Sequence, residues 1–172
     1  MNRKQFIDCF GGVYEHSAWV AEQVFDRGKP DVSDLEALTK ALRHEVDGAD
    51  DAQKLALLRA HPDLAGKAAV SGELTAASTS EQAGAGLDQC NAEEFARFQS
   101  MNDAYTTRFD FPFIMAVKGA NRHLILAAFE ERLNNSRETE FKTALEQVHR
   151  IAEFRLAAWF AENAPEESFC TK

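Results

Sequence analysis

Apolar side chains recur at helical spacing over the last third of the chain, and this pattern constrains the fold more than any other feature. Five of them follow one another at steps of 4, 3, 4 and 7 residues: Phe141, Leu145, Val148, Ala152 and Trp159. Steps of this kind place side chains on one face of an α-helix. We therefore predict a helix that opens at Ser136 and runs to about Asn163.

Shorter segments with the same periodicity cover most of the remaining sequence, and several begin at residues that commonly cap helices. The predicted caps are the pair Ser33 and Glu36, Asp50 with Asp51, the pair Asn91 and Glu94, and Asn121. No two segments show the alternation of apolar and polar residues that paired strands require. The sequence therefore predicts an all-α fold, a single domain over residues 1–172 with about seven to nine helices and irregular loops that form a cleft.

One apolar run of strand length, Phe111–Val117, has no second strand with which to pair. When such a segment is buried, its backbone N–H and C=O groups still need hydrogen-bond partners. Neighbouring side chains or water can supply them, and so can the polar edge of a bound ring. The residues alone leave these alternatives open.

Arg155 occupies the position that is missing from the apolar face of the last predicted helix, so its side chain should point toward the core. A buried guanidinium without a partner is costly. Either a carboxylate of the protein or a ligand must therefore accept its hydrogen bonds. Periodicity does not decide between the two.

A short irregular stretch in the first half of the chain carries an imidazole and a carboxylate. His61 precedes Pro62, and a residue before proline avoids the α region, so we predict that a helix ends there and leaves the imidazole at a rigid corner. Ser78 and Glu81 have the spacing of a capping box, which predicts a helix that begins at Ser78 with Gln82 in its first turn. A simple helix stop and a simple cap explain the same residues.

Charge and composition argue against several classes of partner. The formal net charge of −9 would repel nucleic acids and anionic membranes, and no apolar stretch is long enough for a signal peptide or a spanning helix. Cys9, Cys90 and Cys170 lack a Cys-x-x-Cys spacing, so we expect free thiols in a cytoplasmic protein. The histidines show no metal-binding spacing and no cofactor-binding motif is present, so neither a metal nor a cofactor is expected.

The sequence His61-Pro62-Asp63-Leu64, followed by Ser78-x-x-Glu81-Gln82, matches the most specific motif of a known family. Similarity extends from Phe10–Ser17 through Phe111–Phe113 to Arg155. The chain thus resembles the OHCU decarboxylases, the 2-oxo-4-hydroxy-4-carboxy-5-ureidoimidazoline decarboxylases of urate breakdown. The resemblance implies cofactor-free decarboxylation of OHCU to (S)-allantoin and CO2 by a homodimer.

The same resemblance implies roles for individual residues. His61 would be the catalytic acid/base group, and Glu81 would be a second catalytic residue that positions the imidazole. The implied substrate-binding residues are Pro62, Ser78, Glu81, Gln82, Phe113, Ile114, Met115, Ala116, Val117 and Arg155. If Arg155 serves the substrate, the ligand-free protein should leave it without a carboxylate partner.

Two other functions remain compatible with the sequence. A non-catalytic helical module that binds a partner through an apolar groove would pair Arg155 inside the core and leave His61 exposed. An acid/base hydrolase of a related cyclic ureide would need a positioned water, which the residues do not reveal.

Overall fold

A computed structural model describes residues 1–28 and 31–163, and over these residues the protein consists of helices and connecting loops without strands. The helices are α1 Arg3–Phe10, α2 Trp19–Arg27, α3 Leu35–Gly48, α4 Asp51–Arg59, α5 Lys67–Ser71, α6 Ala76–Gly84, a 3-10 turn Leu87–Gln89, α7 Ala92–Phe109, α8 Arg122–Arg132 and α9 Arg137–Asn163. The predicted all-α fold is confirmed. In the part of the chain described, no helix is long and apolar enough to cross a membrane.

Helix α9 is the central element, because it packs against α3, α4 and α7. Its start agrees with the sequence prediction, since the Ser136 hydroxyl accepts a hydrogen bond from the Thr139 N–H at 3.2 Å. The apolar face that the spacing predicted is the face turned inward, with Val148 and Ala152 almost fully buried. This helix therefore carries any polar residue on that face into the interior.

Most of the predicted helix starts are confirmed. Asn91 and Glu94 form a complete capping box, and the side chains of Asp50 and Asn121 cap α4 and α8. The predicted cap at Ser33 is wrong. The Asp31 carboxylate binds both the backbone N–H and the hydroxyl of Ser33, so the next residue, Asp34, caps α3 instead.

The segment Phe111–Val117 is extended and largely buried, as predicted, and protein side chains supply hydrogen-bond partners for two of its backbone groups. Arg132 Nη1 donates to the Ile114 carbonyl at 2.7 Å, and Gln147 Oε1 accepts from the Ala116 N–H at 2.9 Å. Arg132 also pairs with the fully buried Glu140. Helices α8 and α9 thereby hold the segment in place.

Aromatic packing also holds the same segment in place. The rings of Phe113 and Phe129 stack with centroids 3.7 Å apart, and Tyr105 meets Phe113 edge to face at 5.3 Å.

Cys9 and Cys90 are free thiols, as expected, and Cys170 lies outside the described residues.

Candidate active site

His61 lies just beyond the end of α4, at the corner that the sequence predicted. Its Nδ1 is 3.0 Å from the Leu57 carbonyl oxygen, which can only accept, so Nδ1 carries the proton. The lone pair of the neutral ring is consequently on Nε2. Nε2 is buried and has no hydrogen-bond partner among the described residues. An unpartnered ring nitrogen of this kind is available to a substrate.

Burial controls the protonation of His61, whose side chain is 8% exposed. Burial lowers the pKa of His61 to about 4, against the smaller opposing effects of the Leu57 carbonyl and the Glu15 carboxylate. The imidazole is therefore neutral at pH 7. A neutral imidazole with a free Nε2 acts as a proton acceptor.

Arg155 points inward, as predicted, but two carboxylates of the protein already bind it. Its Nε and Nη2 donate to the two oxygens of Glu81 at 2.8 and 3.0 Å, and its Nη1 donates to Glu15 Oε2 at 2.7 Å. Burial alone would lower the pKa of Arg155, but these two partners raise it overall. The expectation that Arg155 lacks a carboxylate partner in the ligand-free protein is wrong, because the fold supplies two.

Glu15 is a component of the site that the sequence analysis missed. Its side chain is 2% exposed, and besides Arg155 it accepts hydrogen bonds from the hydroxyls of Thr75 and Ser78 at 2.7 and 2.9 Å. Burial alone would raise the pKa of Glu15, but these hydroxyls and Arg155 lower it overall. The requirement that a buried arginine be paired was the signal that could have directed attention to acidic residues near the chain start.

The predicted capping box at Ser78 and Glu81 is wrong. Helix α6 begins three residues earlier than the box requires, because Thr75 has extended backbone angles and its hydroxyl accepts from the Ser78 N–H at 3.3 Å. Glu81 consequently lies within the helix, facing Arg155. Both of its oxygens bind that guanidinium, and it makes no hydrogen bond to His61 within the described residues. The expected Glu81–His61 contact is therefore replaced by a bidentate ion pair.

Gln82 binds the loop that follows His61. Its Oε1 accepts from the Ala65 N–H at 3.0 Å, and its Nε2 donates to the Asp63 carbonyl at 3.2 Å. Ala65 has a positive φ of 49°, a conformation that is uncommon for alanine and needs support from its surroundings. Gln82 therefore fixes the backbone beside the imidazole.

These side chains enclose a cavity of about 30 Å³. Of the predicted site residues, ten line it: His61, Pro62, Ser78, Glu81, Gln82, Phe113, Ile114, Met115, Val117 and Arg155. Leu64 and Ile151 complete the lining, and the sequence analysis had not selected either of them. Ala116 instead lines an adjacent groove of about 590 Å³. The cavity and the groove share Glu81, Val117, Ile151 and Arg155 in their linings, so the two spaces are adjacent.

Within the described residues, no three histidine, cysteine or acidic side chains are grouped so that they could hold a metal ion. The cavity lining thus combines one neutral imidazole, the Arg155–Glu81 ion pair, the polar side chains of Ser78 and Gln82, and apolar walls. Such a set can orient a polar ring and transfer a proton to or from it.

The chain is similar in sequence to known proteins. The sequence model of the family described as OHCU decarboxylase matches residues 1–157. The 2-oxo-4-hydroxy-4-carboxy-5-ureidoimidazoline decarboxylase of Haloferax volcanii is 46% identical over 156 residues, which cover 91% of this chain and 89% of that protein. A putative protein of the same description from Homo sapiens is 37% identical over 157 residues, covering 91% of this chain and 90% of that protein.

Solved structures show the same fold. A crystal structure of (S)-allantoin synthase superposes with a TM-score of 0.72 at 35% identity, covering 92% of this chain and 51% of the other, so this chain spans about half of that protein. A crystal structure of an OHCU decarboxylase in the presence of (S)-allantoin gives a TM-score of 0.69 at 22% identity, over 94% and 99% of the two chains. With residues 1–157 matched and 46% identity to a curated relative, this chain belongs to the OHCU decarboxylase family.

Proposed function

We propose that the protein decarboxylates OHCU to (S)-allantoin and CO2 in urate breakdown. Membership of the family supports this activity, and so do relatives whose names state it. The single structural observation that carries the proposal is the unpartnered Nε2 of His61, which lies in the same cavity as the Arg155–Glu81 pair. The apolar groove of a simple binding module would not require such a group.

The chemistry follows from the structure of the substrate. As its name states, OHCU carries a hydroxyl and a carboxyl group on ring carbon 4 and a ureido group on carbon 5. When the bond from carbon 4 to the carboxylate breaks, its electron pair passes into the adjacent ring C=N bond, whose nitrogen takes up a proton from solvent. Transfer of the hydroxyl proton from oxygen to carbon 5 then gives allantoin. One substrate anion and one proton thus yield one allantoin and one CO2.

His61 is the proposed acid/base group in this transfer. Its Nε2 takes the proton of the 4-hydroxyl, and the resulting imidazolium returns a proton to carbon 5. Two features support this role: the hydrogen bond to the Leu57 carbonyl, which keeps the proton on Nδ1, and the low pKa, which keeps the ring neutral beforehand. Because the ring has one fixed orientation, the proton reaches one face of the carbon, which accounts for a single enantiomer.

The remaining predicted residues bind and orient the substrate in this proposal. Arg155 and Glu81 form a fixed polar wall, and Glu15, Thr75 and Ser78 hold the arginine end of it. The segment from Phe113 to Val117 forms another wall, and the backbone groups that Arg132 and Gln147 do not occupy read the edge of the ring. Pro62 and Gln82 shape the loop on which His61 lies. Glu81 therefore acts through Arg155 and not through the imidazole.

The test is turnover of freshly generated OHCU by the purified protein. Circular dichroism of the product distinguishes enzymatic from spontaneous decay, because only the enzymatic route gives (S)-allantoin in excess. We expect faster CO2 release together with an optically active product. Ring opening without CO2 release would indicate a hydrolase and overturn the proposal.

We also propose that the protein works as a cytoplasmic homodimer. The family resemblance supports the dimer, and the free thiols of Cys9 and Cys90 support a reducing compartment. Light scattering coupled to gel filtration should give twice the chain mass of 19.1 kDa. A monomer at micromolar concentration would contradict the dimer, and recovery of the native protein outside the cytoplasm would contradict the location.

A further inference from the structure

The fixed charges of the inner cavity do not favour an anionic ligand. Among the residues that line the cavity, Arg155 contributes one positive charge and Glu81 one negative charge, and His61 is neutral. Glu15, which binds Arg155 from outside this lining, adds a second negative charge, so the sum is −1. A substrate carboxylate is ionised at pH 7, because such groups have pKa values of about 3–4. The guanidinium already binds carboxylates through Nε, Nη1 and Nη2. Another cation is needed to receive the carboxylate of the substrate.

Lys118 supplies a cation at the outer part of the site. It follows directly after Val117, whose side chain lines the inner cavity, and it occupies a turn closed by the Ala120 N–H and the Val117 carbonyl at 2.9 Å. Gly119, at the third position of this turn, has a φ of 79°, which favours glycine. The turn therefore places Lys118 at the end of the extended wall.

The ammonium of Lys118 is held over the groove and carries no competing ion pair. Its Nζ lies 5.0 Å from the centroid of the Phe154 ring, a cation–π contact that restrains the side chain. It forms no salt bridge with any residue in 1–28 or 31–163. Among the charged residues that line the groove, the cations are Lys118 and Arg155 and the acids are Glu81 and Glu162. Of the two cations that line the groove within the described residues, Lys118 is thus the one without a carboxylate in contact with it.

We propose that Lys118 binds the carboxylate of the anionic substrate at the mouth of the site and so selects anionic over neutral ring ligands. This inference rests on the proposed function. In the transition state the bond from carbon 4 to the carboxylate is only partly broken, so a cation that binds this carboxylate stabilises the bound substrate and the transition state to a similar extent. Loss of Lys118 should therefore raise KM and leave kcat nearly unchanged.

The test compares Lys118→Met with Lys142→Met and Lys118→Arg. Lys142 is an exposed lysine on α9 that lines neither the cavity nor the groove, so its substitution makes the same change in net charge elsewhere. For Lys118→Met we expect KM for OHCU to rise by roughly 3- to 10-fold, with kcat within about twofold of the wild-type value. Lys142→Met and Lys118→Arg should keep KM near the wild-type value.

Two further measurements separate this inference from the function on which it rests. Inhibition by (S)-allantoin, which is neutral, should be the same in Lys118→Met and in the wild type. The wild-type KM should rise with salt more steeply than that of Lys118→Met, because salt screens the attraction. If Lys118→Met leaves KM for OHCU unchanged, the proposed role of Lys118 is wrong. The same holds if the variant loses as much affinity for allantoin as for OHCU. Neither result affects the proposed function. Failure of the wild type to accelerate CO2 release overturns the proposed function itself.

Discussion

Arg155 and Glu15 form a buried ion pair whose partners can be removed one at a time. Arg155→Met should lower the free energy of unfolding at pH 7 by about 3–5 kcal/mol, because it leaves the buried Glu15 carboxylate without its counter-charge. Urea unfolding at equilibrium measures the difference. Methionine is unbranched and no longer than arginine, so the loss should report chiefly the stranded charge.

The double variant Glu15→Gln, Arg155→Met provides the control. Glutamine keeps an acceptor for Thr75 and Ser78 but carries no charge, so the double variant should recover much of the stability lost by Arg155→Met. If Arg155→Met alone were as stable as the wild type, the ion pairs would contribute nothing to folding, and Arg155 would serve the ligand only.

His61→Asn isolates the chemical role of the imidazole. The amide of asparagine can still donate to the Leu57 carbonyl, so the variant should fold normally, but it lacks the unpartnered ring nitrogen that accepts the proton. We expect kcat to fall by about 10²- to 10⁴-fold. The rate of OHCU turnover with chiral detection of allantoin measures this loss, and a near wild-type rate would remove His61 from the mechanism.

The positions of His61 and Arg155 could be predicted from the sequence, but their hydrogen-bond partners could not. The proline after His61 determines its backbone, and the periodicity of α9 determines the direction of Arg155, and both are local properties. The pairing of Arg155 with Glu15 joins residues 140 positions apart and depends on how α9 packs against the chain start. No local pattern encodes that distance.

At the scale of elements, the capping residue of a helix was predicted correctly where the sequence offered one candidate. The prediction was wrong where two candidates lay close together. Asn91 and Glu94 had no rival, whereas Thr75 and Asp34 displaced the predicted serines. Phe111–Val117 was predicted to be extended, yet its partners come from α8 and α9, which are distant in sequence. The segment itself could be predicted from the sequence, but the residues that hydrogen-bond to it could not.

Gln147 tests how strongly α9 holds the extended segment. Gln147→Leu leaves the Ala116 N–H without its acceptor, so the free energy of unfolding should fall by about 1–3 kcal/mol. Chemical denaturation measures this, with Gln53→Leu, at an exposed position on α4, as the matched control. Equal effects in the two variants would show that the Ala116 contact contributes no stability.

At the scale of the whole molecule, one contiguous core extends from Phe6 to Leu156, which supports the prediction of a single domain. His61 and His149 are both buried in it, and burial lowers the pKa of each. His149 bridges Tyr14 and Asp47, at 2.8 and 3.1 Å. Their protonation is therefore linked to unfolding of the entire chain.

The free energy of unfolding should consequently fall as the pH is lowered from about 6.5 toward 4. In this window the unfolded chain binds protons at His61 and His149 that the folded protein does not, so acid favours unfolding. The contribution of His61 alone is on the order of 3 kcal/mol. Denaturation curves measured between pH 7 and pH 4 test this, and His61→Asn should show a shallower decline. If the free energy of unfolding declined equally with pH in the wild type and in His61→Asn, the imidazole of His61 would not be buried in its neutral form.

The role of α9 has a consequence for which length changes the chain can accept. Within one continuous helix, Gln147 holds the extended wall, His149 holds Tyr14, Arg155 binds two carboxylates, and Trp159 packs against Phe10 at 4.8 Å. A one-residue insertion between 149 and 155 would rotate everything beyond it by about 100° relative to everything before it. Homologues should therefore vary in length in the loops and not within this helix.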